Sequence, residues 1–330
     1  MWAFSGTRPS NANLVFLSQM LIPAGRSLAR GAFLMRLRRI VATLAILVAL
    51  AFITALVNNN ISVLRPSRGE FVRNLDQTLG RSTDWVLRQY QQGAGRPTPQ
   101  GRSLLSNSAT AHMIVDCSSI SREPRMRAIG SSFVDAWKSA ADVWGKEVEP
   151  AMPARVIGDR EFQALEEYQR WHLYGAAPDD VSLSPQELKD MFSADKYRTG
   201  KATHQLFALY LYRKSKGSTP ELDQVMQKVE ERIASEAAID FRVTDLYLQR
   251  VAFLLAAGRT DLIRPRWVER AFAAQQTDGG WLPDWHGWSR TPYQFSFGND
   301  STTAHATAQG MWISCMLKYR YPEWTERNYR

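Results

Sequence analysis

Three of the five histidines in the 330-residue chain stand in the same local setting. Asn107-Ser108-Ala109-Thr110-Ala111-His112 matches Asp300-Ser301-Thr302-Thr303-Ala304-His305, and Ala202-Thr203-His204 is a fainter copy between them. In each copy Ser or Thr precedes an apolar run of helical length. Each His therefore stands near a helix N-terminus, where backbone amides lack partners and the helix dipole is positive. If the three helices run parallel, His112, His204 and His305 meet at one end of the domain. There they can serve as acid and base or, with Asp116, Asp300 or Cys117, hold a metal ion. No His-x-x-x-His pair occurs anywhere, so no metal ligand set and no cofactor is assigned. The alternative is three ordinary helix starts. A ring of free amides also suits a phosphate or carboxylate.

Carboxylates and aromatics gather in the last third of the chain. Asp240, Asp245, Asp278, Asp284 and Asp300 are among the acids there. Asp245 precedes the apolar run Leu246–Ala257 and so caps that helix, or a pair of the five does acid–base chemistry, with Asp245 and Asp300 as candidates. A carboxylate pair is what glycan cleavage uses. Arg250, set among apolar residues in the same run, needs a buried partner: Asp245 or a carboxylate across the layer. Trp281, Trp285, Trp288, Tyr293, Phe295 and Phe297 crowd a stretch that also holds His286 and Arg290. Such a cluster lines a binding mouth, or else packs as a lid or rests on a membrane.

The elements that would position these groups are helices of two kinds. Ser184-Pro185-Gln186-Glu187 is a capping box, and Thr219-Pro220 opens a helix with one apolar stripe, Leu222, Val225, Met226, Val229 and Ile233. Trp267–Gln276 and the segment marked by Phe133, Val134, Trp137 and Trp144 are also amphipathic. By contrast Gln205–Tyr212, Leu246–Ala257 and Thr303–Leu317 are apolar on nearly every side. Wet helices alternating with dry ones predict two concentric layers with the dry helices inside. No stretch joins period-two alternation to β-branched content, so the expected class is all-α.

Within this pattern, Arg270-Ala271-Phe272-Ala273-Ala274-Gln275-Gln276-Thr277-Asp278-Gly279-Gly280-Trp281 resembles the QW repeat of the α/α-toroid proteins. That group includes the squalene and hopene cyclases, class II terpene cyclases and protein prenyltransferase β-subunits. The resemblance covers about Trp267–Leu317. It implies an α/α-toroid-like double layer of helical hairpins around a central cavity, laced by the Gln, Gly and Trp residues. It does not carry the family chemistry across. The chain lacks an Asp-x-Asp-Asp run and a recognisable zinc ligand set, and about five helical pairs are discernible where the family has six. Function resides in sites rather than folds.

Charge is distributed unevenly along the chain. Ile40–Leu64 contains no charge, and Ile40–Val57 is apolar apart from Thr43 and Thr54, about the length that crosses a hydrocarbon core. This divides the chain into a basic segment 1–39, a transmembrane anchor 40–57, a linker 58–69 and a helical domain 70–330. Of the 41 basic residues eight Arg lie in the first 69 positions, which hold no acid; the remainder sets 33 bases against 32 acids. The net charge of +9 thus belongs to the anchor, and the domain carries no basic surface of the kind that reads nucleic acid. Membrane lipids are the expected partner of the basic segment, with subunits of a membrane complex a second partner class.

Five Arg lie in the fifteen residues before the span, and Arg65, Arg68 and Arg73 follow it, which favours an uncleaved signal-anchor with the large domain outside. Met35 offers an alternative start. Cys117 and Cys315 stand in apolar helices, which favours buried free thiols, although an oxidising compartment permits a disulfide. The leading functional expectation is binding or conversion of a hydrophobic or lipid-linked ligand in a central cavity. A glycan-processing (α/α)-barrel enzyme and a non-catalytic subunit of a membrane complex are the alternatives.

Overall fold

The structure is a computed structural model that describes residues 25–62, 64–91, 107–194, 201–283 and 301–330. It divides into two compact units, Met1–Ile53 and Thr54–Arg330. Helix α1 (Gly25–Asn60) supplies the described part of the first, and its last seven residues, Thr54–Asn60, belong to the second. Among the described residues one helix is long and apolar enough to cross a membrane, Met35–Asn60, with a mean hydropathy of 2.9. Leu44, Ile46, Leu47 and Val48 lie exposed around it. An apolar surface on all sides, rather than a stripe, is what a hydrocarbon surround accepts.

The second unit is helical throughout its described elements. It comprises α2 (Arg68–Gln89), α3 (Ser108–Ile120), α4 (Pro124–Ala140), the single turn α5 (Gly145–Val148), α6 (Asp159–Gln163), α7 (Glu167–Ala176) and α8 (Pro185–Met191). These are followed by α9 (Ala202–Lys216), α10 (Pro220–Ile239), α11 (Asp245–Ala256), α12 (Pro265–Ala273), α13 (Ala304–Cys315) and α14 (Pro322–Asn328), with a π-helical turn at Met316–Arg320. No strand forms among the described residues; a lone antiparallel bridge joins Trp281 to Thr303.

Start signals act locally as expected. Ser184 and Glu187 form the capping box of α8, and Thr219 caps α10 ahead of Pro220. Thr244, not Asp245, caps α11, its hydroxyl accepting from the Tyr247 amide.

Burial separates the helices into the two expected kinds. Residues 205–211 of α9, 247–256 of α11 and 306–317 of α13 and its extension are buried without interruption. Helices α2, α4, α10 and α12 bury one face each, such as Leu222, Met226, Val229 and Ile233 of α10. The dry helices touch in sequence: α3 packs on α13, α13 on α11, α11 on α9, and α9 on α7. Helix α5 touches both α7 and α3, which returns the chain of contacts to its start. The wet-faced helices lie against these, α4 on α3, α2 on α13, and α10 on α9 and α11. Arg250, buried on α11, finds its carboxylates across the layer on α10: Glu236 at 3.1 Å and Asp240 at 2.8 Å.

The Gln–Gly–Trp segment laces neighbouring elements. Gln275 Nε2 donates to Thr78 O of α2 at 3.0 Å and to Gly279 O at 2.9 Å. Gly279 has φ of +94°, and a Cβ there would stand 2.3 Å from Arg81 O, so the turn needs glycine. Trp281 is buried, its Nε1 donating to Ala271 O at 2.7 Å and its ring lying on Gly310. Trp281, expected at a ligand-binding mouth, thus has its ring in the core.

Two further expectations change. Packing of α3 on α13 brings the Cα atoms of Cys117 and Cys315 to 5.7 Å, and the two form a disulfide rather than free thiols. Asn58–Asn60, expected to open a linker, end helix α1 and are packed into the second unit.

Candidate functional site

A cavity of about 330 Å³ opens where the first turns of several buried helices meet. Asn107, Ser108 and Ala109 begin α3, His204 is the third residue of α9, and His305 is the second of α13. Gln249 comes from the second turn of α11, Tyr168 and His172 from α7, and Glu147 from α5. Trp144, Phe207 and Phe253 add aromatic surface. Helices α3, α9 and α13 contribute residues of their first turns to this space, whereas α11 contributes Gln249 and Phe253 from further along.

Glu147 and His172 are enclosed, 1 % and 5 % exposed. Glu147 Oε2 accepts from Ser108 Oγ at 2.7 Å, and Oε1 stands 3.5 Å from His172 Nδ1. His172 Nε2 is buried without a hydrogen-bond partner. A carboxylate beside Nδ1 favours the tautomer that carries its proton there and leaves the Nε2 lone pair free. Buried polar atoms are nearly always paired, so an unpaired imidazole nitrogen in a residue that lines the cavity stands out.

His204 lies beside His172, ring centroids 5.4 Å apart, and leans on Tyr168 at 4.4 Å. Burial first, then the neighbouring His172 and His305, lower its pKa to about 3, so it is neutral near pH 7. Its Nδ1 also lacks a partner. His305 is fixed at both nitrogens: Nδ1 is 3.1 Å from Thr110 Oγ1 and Nε2 is 2.9 Å from Gln309 Nε2. With the amide nitrogen donating, Nε2 accepts and Nδ1–H donates to the threonine. Asp245 Oδ1 stands 3.9 Å from the same Nε2.

Of the sequence-derived site residues, His204 and His305 line this cavity, and Asp245 stands behind His305. His112 does not share it. Its Nδ1 donates to the Glu147 backbone carbonyl at 2.8 Å, and Phe207, Tyr210 and Trp312 enclose its ring edge-on. Burial lowers its pKa, so it acts as a neutral prop beneath α5. Asp116 is taken by Arg320 at 3.0 Å and by Trp312 Nε1 at 2.7 Å, and Cys117 by its disulfide. Among the described residues no three His, Cys, Asp or Glu side chains are placed to hold a metal ion. Asp300, Trp285, Trp288 and Tyr293 lie outside the described residues.

Sequence reasoning missed His172 and Glu147. Neither sits in a Ser/Thr-led helix start, the one signal that had linked the other histidines. The residue of use was Tyr168, which precedes His172 by four and so shares its helix face. Comparison with family models, with curated proteins and with solved structures finds no match to this chain.

Proposed function

We propose that the chain is a membrane-anchored enzyme of α/α-toroid-like architecture that acts by acid–base chemistry on a neutral hydroxylated ligand, a saccharide unit, in this cavity. The observation that carries the reading is the enclosed pair His172–Glu147 among the lining residues, with Nδ1 3.5 Å from the carboxylate and Nε2 buried without a hydrogen-bond partner. Such an imidazole takes a proton from a ligand hydroxyl or a bound water through Nε2, and Glu147 stabilises the imidazolium that results. Neutral His204 and the Tyr168 hydroxyl offer further donors and acceptors beside it.

The lining supports a saccharide over the other ligands considered. Among the described residues it holds no Lys or Arg to balance a phosphate, and Glu147 already contributes negative charge. A wholly apolar isoprenoid would leave three imidazoles, Gln249 and Glu147 facing hydrocarbon, a cost of a few kcal/mol for each unpaired group. Trp144, Phe207 and Phe253 give the flat apolar faces that sugar rings stack on. A scaffold subunit would have a filled centre rather than an open one. The return of the dry-helix contacts through α5 to α3 supports the toroid-like architecture. The Cys117–Cys315 disulfide and the Arg excess before the span both support an extracytoplasmic domain.

The test is a panel of neutral oligosaccharides and a short isoprenyl phosphate, incubated with the full chain in detergent. The expected result is conversion of a saccharide, reduced about 10²–10⁴-fold in His172→Ala. Binding of the isoprenyl phosphate with no saccharide bound would overturn this reading in favour of a hydrophobic or lipid-linked ligand.

A further inference from the structure

The end of the apolar helix is not a loose tether. Asn59 is fully buried: its Nδ2 donates to Ala237 O at 2.8 Å, and its Oδ1 accepts from Tyr247 Oη at 3.2 Å and from Arg270. Asn60 Nδ2 donates to Ala238 O at 2.7 Å, and its Oδ1 accepts from Arg264 at 2.7 Å. Asn58 accepts from Arg266 through its backbone and side-chain oxygens at 2.8 and 2.6 Å. Three consecutive asparagines thus each engage a different arginine of the α12 region, and two of them cap the C-terminus of α10.

The surface around this clamp has an unusual composition. Ile239, next to Ala238, is 63 % exposed, and Leu64 is 91 % exposed, with Ile61 also outside. Arg264, which donates to Asn60, and Arg242, which follows Ile239 by three and pairs with Asp240 at 3.0 Å, are both exposed. Large aliphatics open to water beside guanidiniums are costly on a free protein surface, but they match the headgroup region of a bilayer. There aliphatics enter the acyl boundary and cations meet phosphate. Continuity fixes the occupant, because the segment clamped into this face is the terminus of the apolar span itself.

We propose that the face formed by Ile239, Arg242, Ile61, Leu64 and Arg264 rests on the bilayer, with Ile239 at the acyl–headgroup boundary and the two arginines on phospholipid phosphates. This rests on the anchoring part of the function proposed above and is independent of what the cavity binds.

The experiment places a nitroxide at Ile239→Cys, Leu47→Cys or Val156→Cys of the full chain in phosphatidylcholine–phosphatidylglycerol vesicles. Both native cysteines are in the disulfide, so each introduced thiol is the sole target. Collision rates with oxygen and with a water-soluble nickel chelate then report depth. The expected order of oxygen preference is Leu47→Cys above Ile239→Cys, and Ile239→Cys several-fold above Val156→Cys, with Ile239→Cys deeper as phosphatidylglycerol is added. Ile239→Cys matching Val156→Cys while Leu47→Cys lies in lipid would overturn the docking face and leave the anchor standing. A water-exposed Leu47→Cys would overturn both, and no response to phosphatidylglycerol would remove the arginine–phosphate contact.

Discussion

At the scale of residues, the site depends on which imidazoles are neutral and which nitrogen each leaves free. His204 was legible because a Thr and an apolar run surround it, yet its pKa of about 3 was not, since burial depends on what packs above it. The folded-state value lies below the ordinary one, so the unfolded chain binds the extra proton and stability falls as pH drops from about 6.5 towards 3. Thermal unfolding followed between pH 7 and pH 5, above the carboxylate range, should show Tm falling in the native chain. His204→Gln should show a shallower fall, the remainder coming from His112, whose pKa burial also lowers. Glu147→Gln tests the other half of the pair. It keeps the Ser108 contact and the shape but removes the charge that holds the imidazolium, so turnover of a bound saccharide should drop with little change in its binding, read as kcat against KM.

At the scale of elements, the alternation of wet and dry helices was readable because burial on all sides leaves an uninterrupted apolar run, as in 306–317. What escaped was the stretch around α5, a single turn with no periodicity to detect, and it carries Glu147. The disulfide escaped for a related reason: 198 residues separate its cysteines, and only the packing of α3 on α13 brings them together. Closing so long a loop restricts the unfolded chain, so the double variant Cys117→Ser/Cys315→Ser should lose about 2–5 kcal/mol in denaturant unfolding. Trp281 lies on Gly310 with its indole nitrogen bonded to α12, and Trp281→Ala should cost about 3–5 kcal/mol. An unchanged denaturation midpoint in that variant would remove the lacing argument.

At the scale of the whole molecule, the apolar span and the balanced domain were evident from charge placement, but their boundary was not. Composition puts Asn58–Asn60 in a polar linker; the structure makes Asn59 a buried part of the domain, because its amide satisfies the last carbonyls of α10. A chain beginning at Glu70 loses that amide and leaves Ala237 O, Tyr247 and Arg270 short of partners. It should therefore melt below a chain beginning at Thr54, by about 1–3 kcal/mol for each group left buried and unpaired, as differential scanning calorimetry of the two would show. The central claim is that His172 meets a neutral saccharide through Nε2. Its most direct measurement is nitrogen-15 NMR of the histidine-labelled full chain during oligosaccharide titration, with His172→Gln used for assignment. The account predicts an unprotonated His172 Nε2 signal that moves on titration while the His112 signals stay fixed. A His172 signal unmoved by every saccharide in the panel would contradict it.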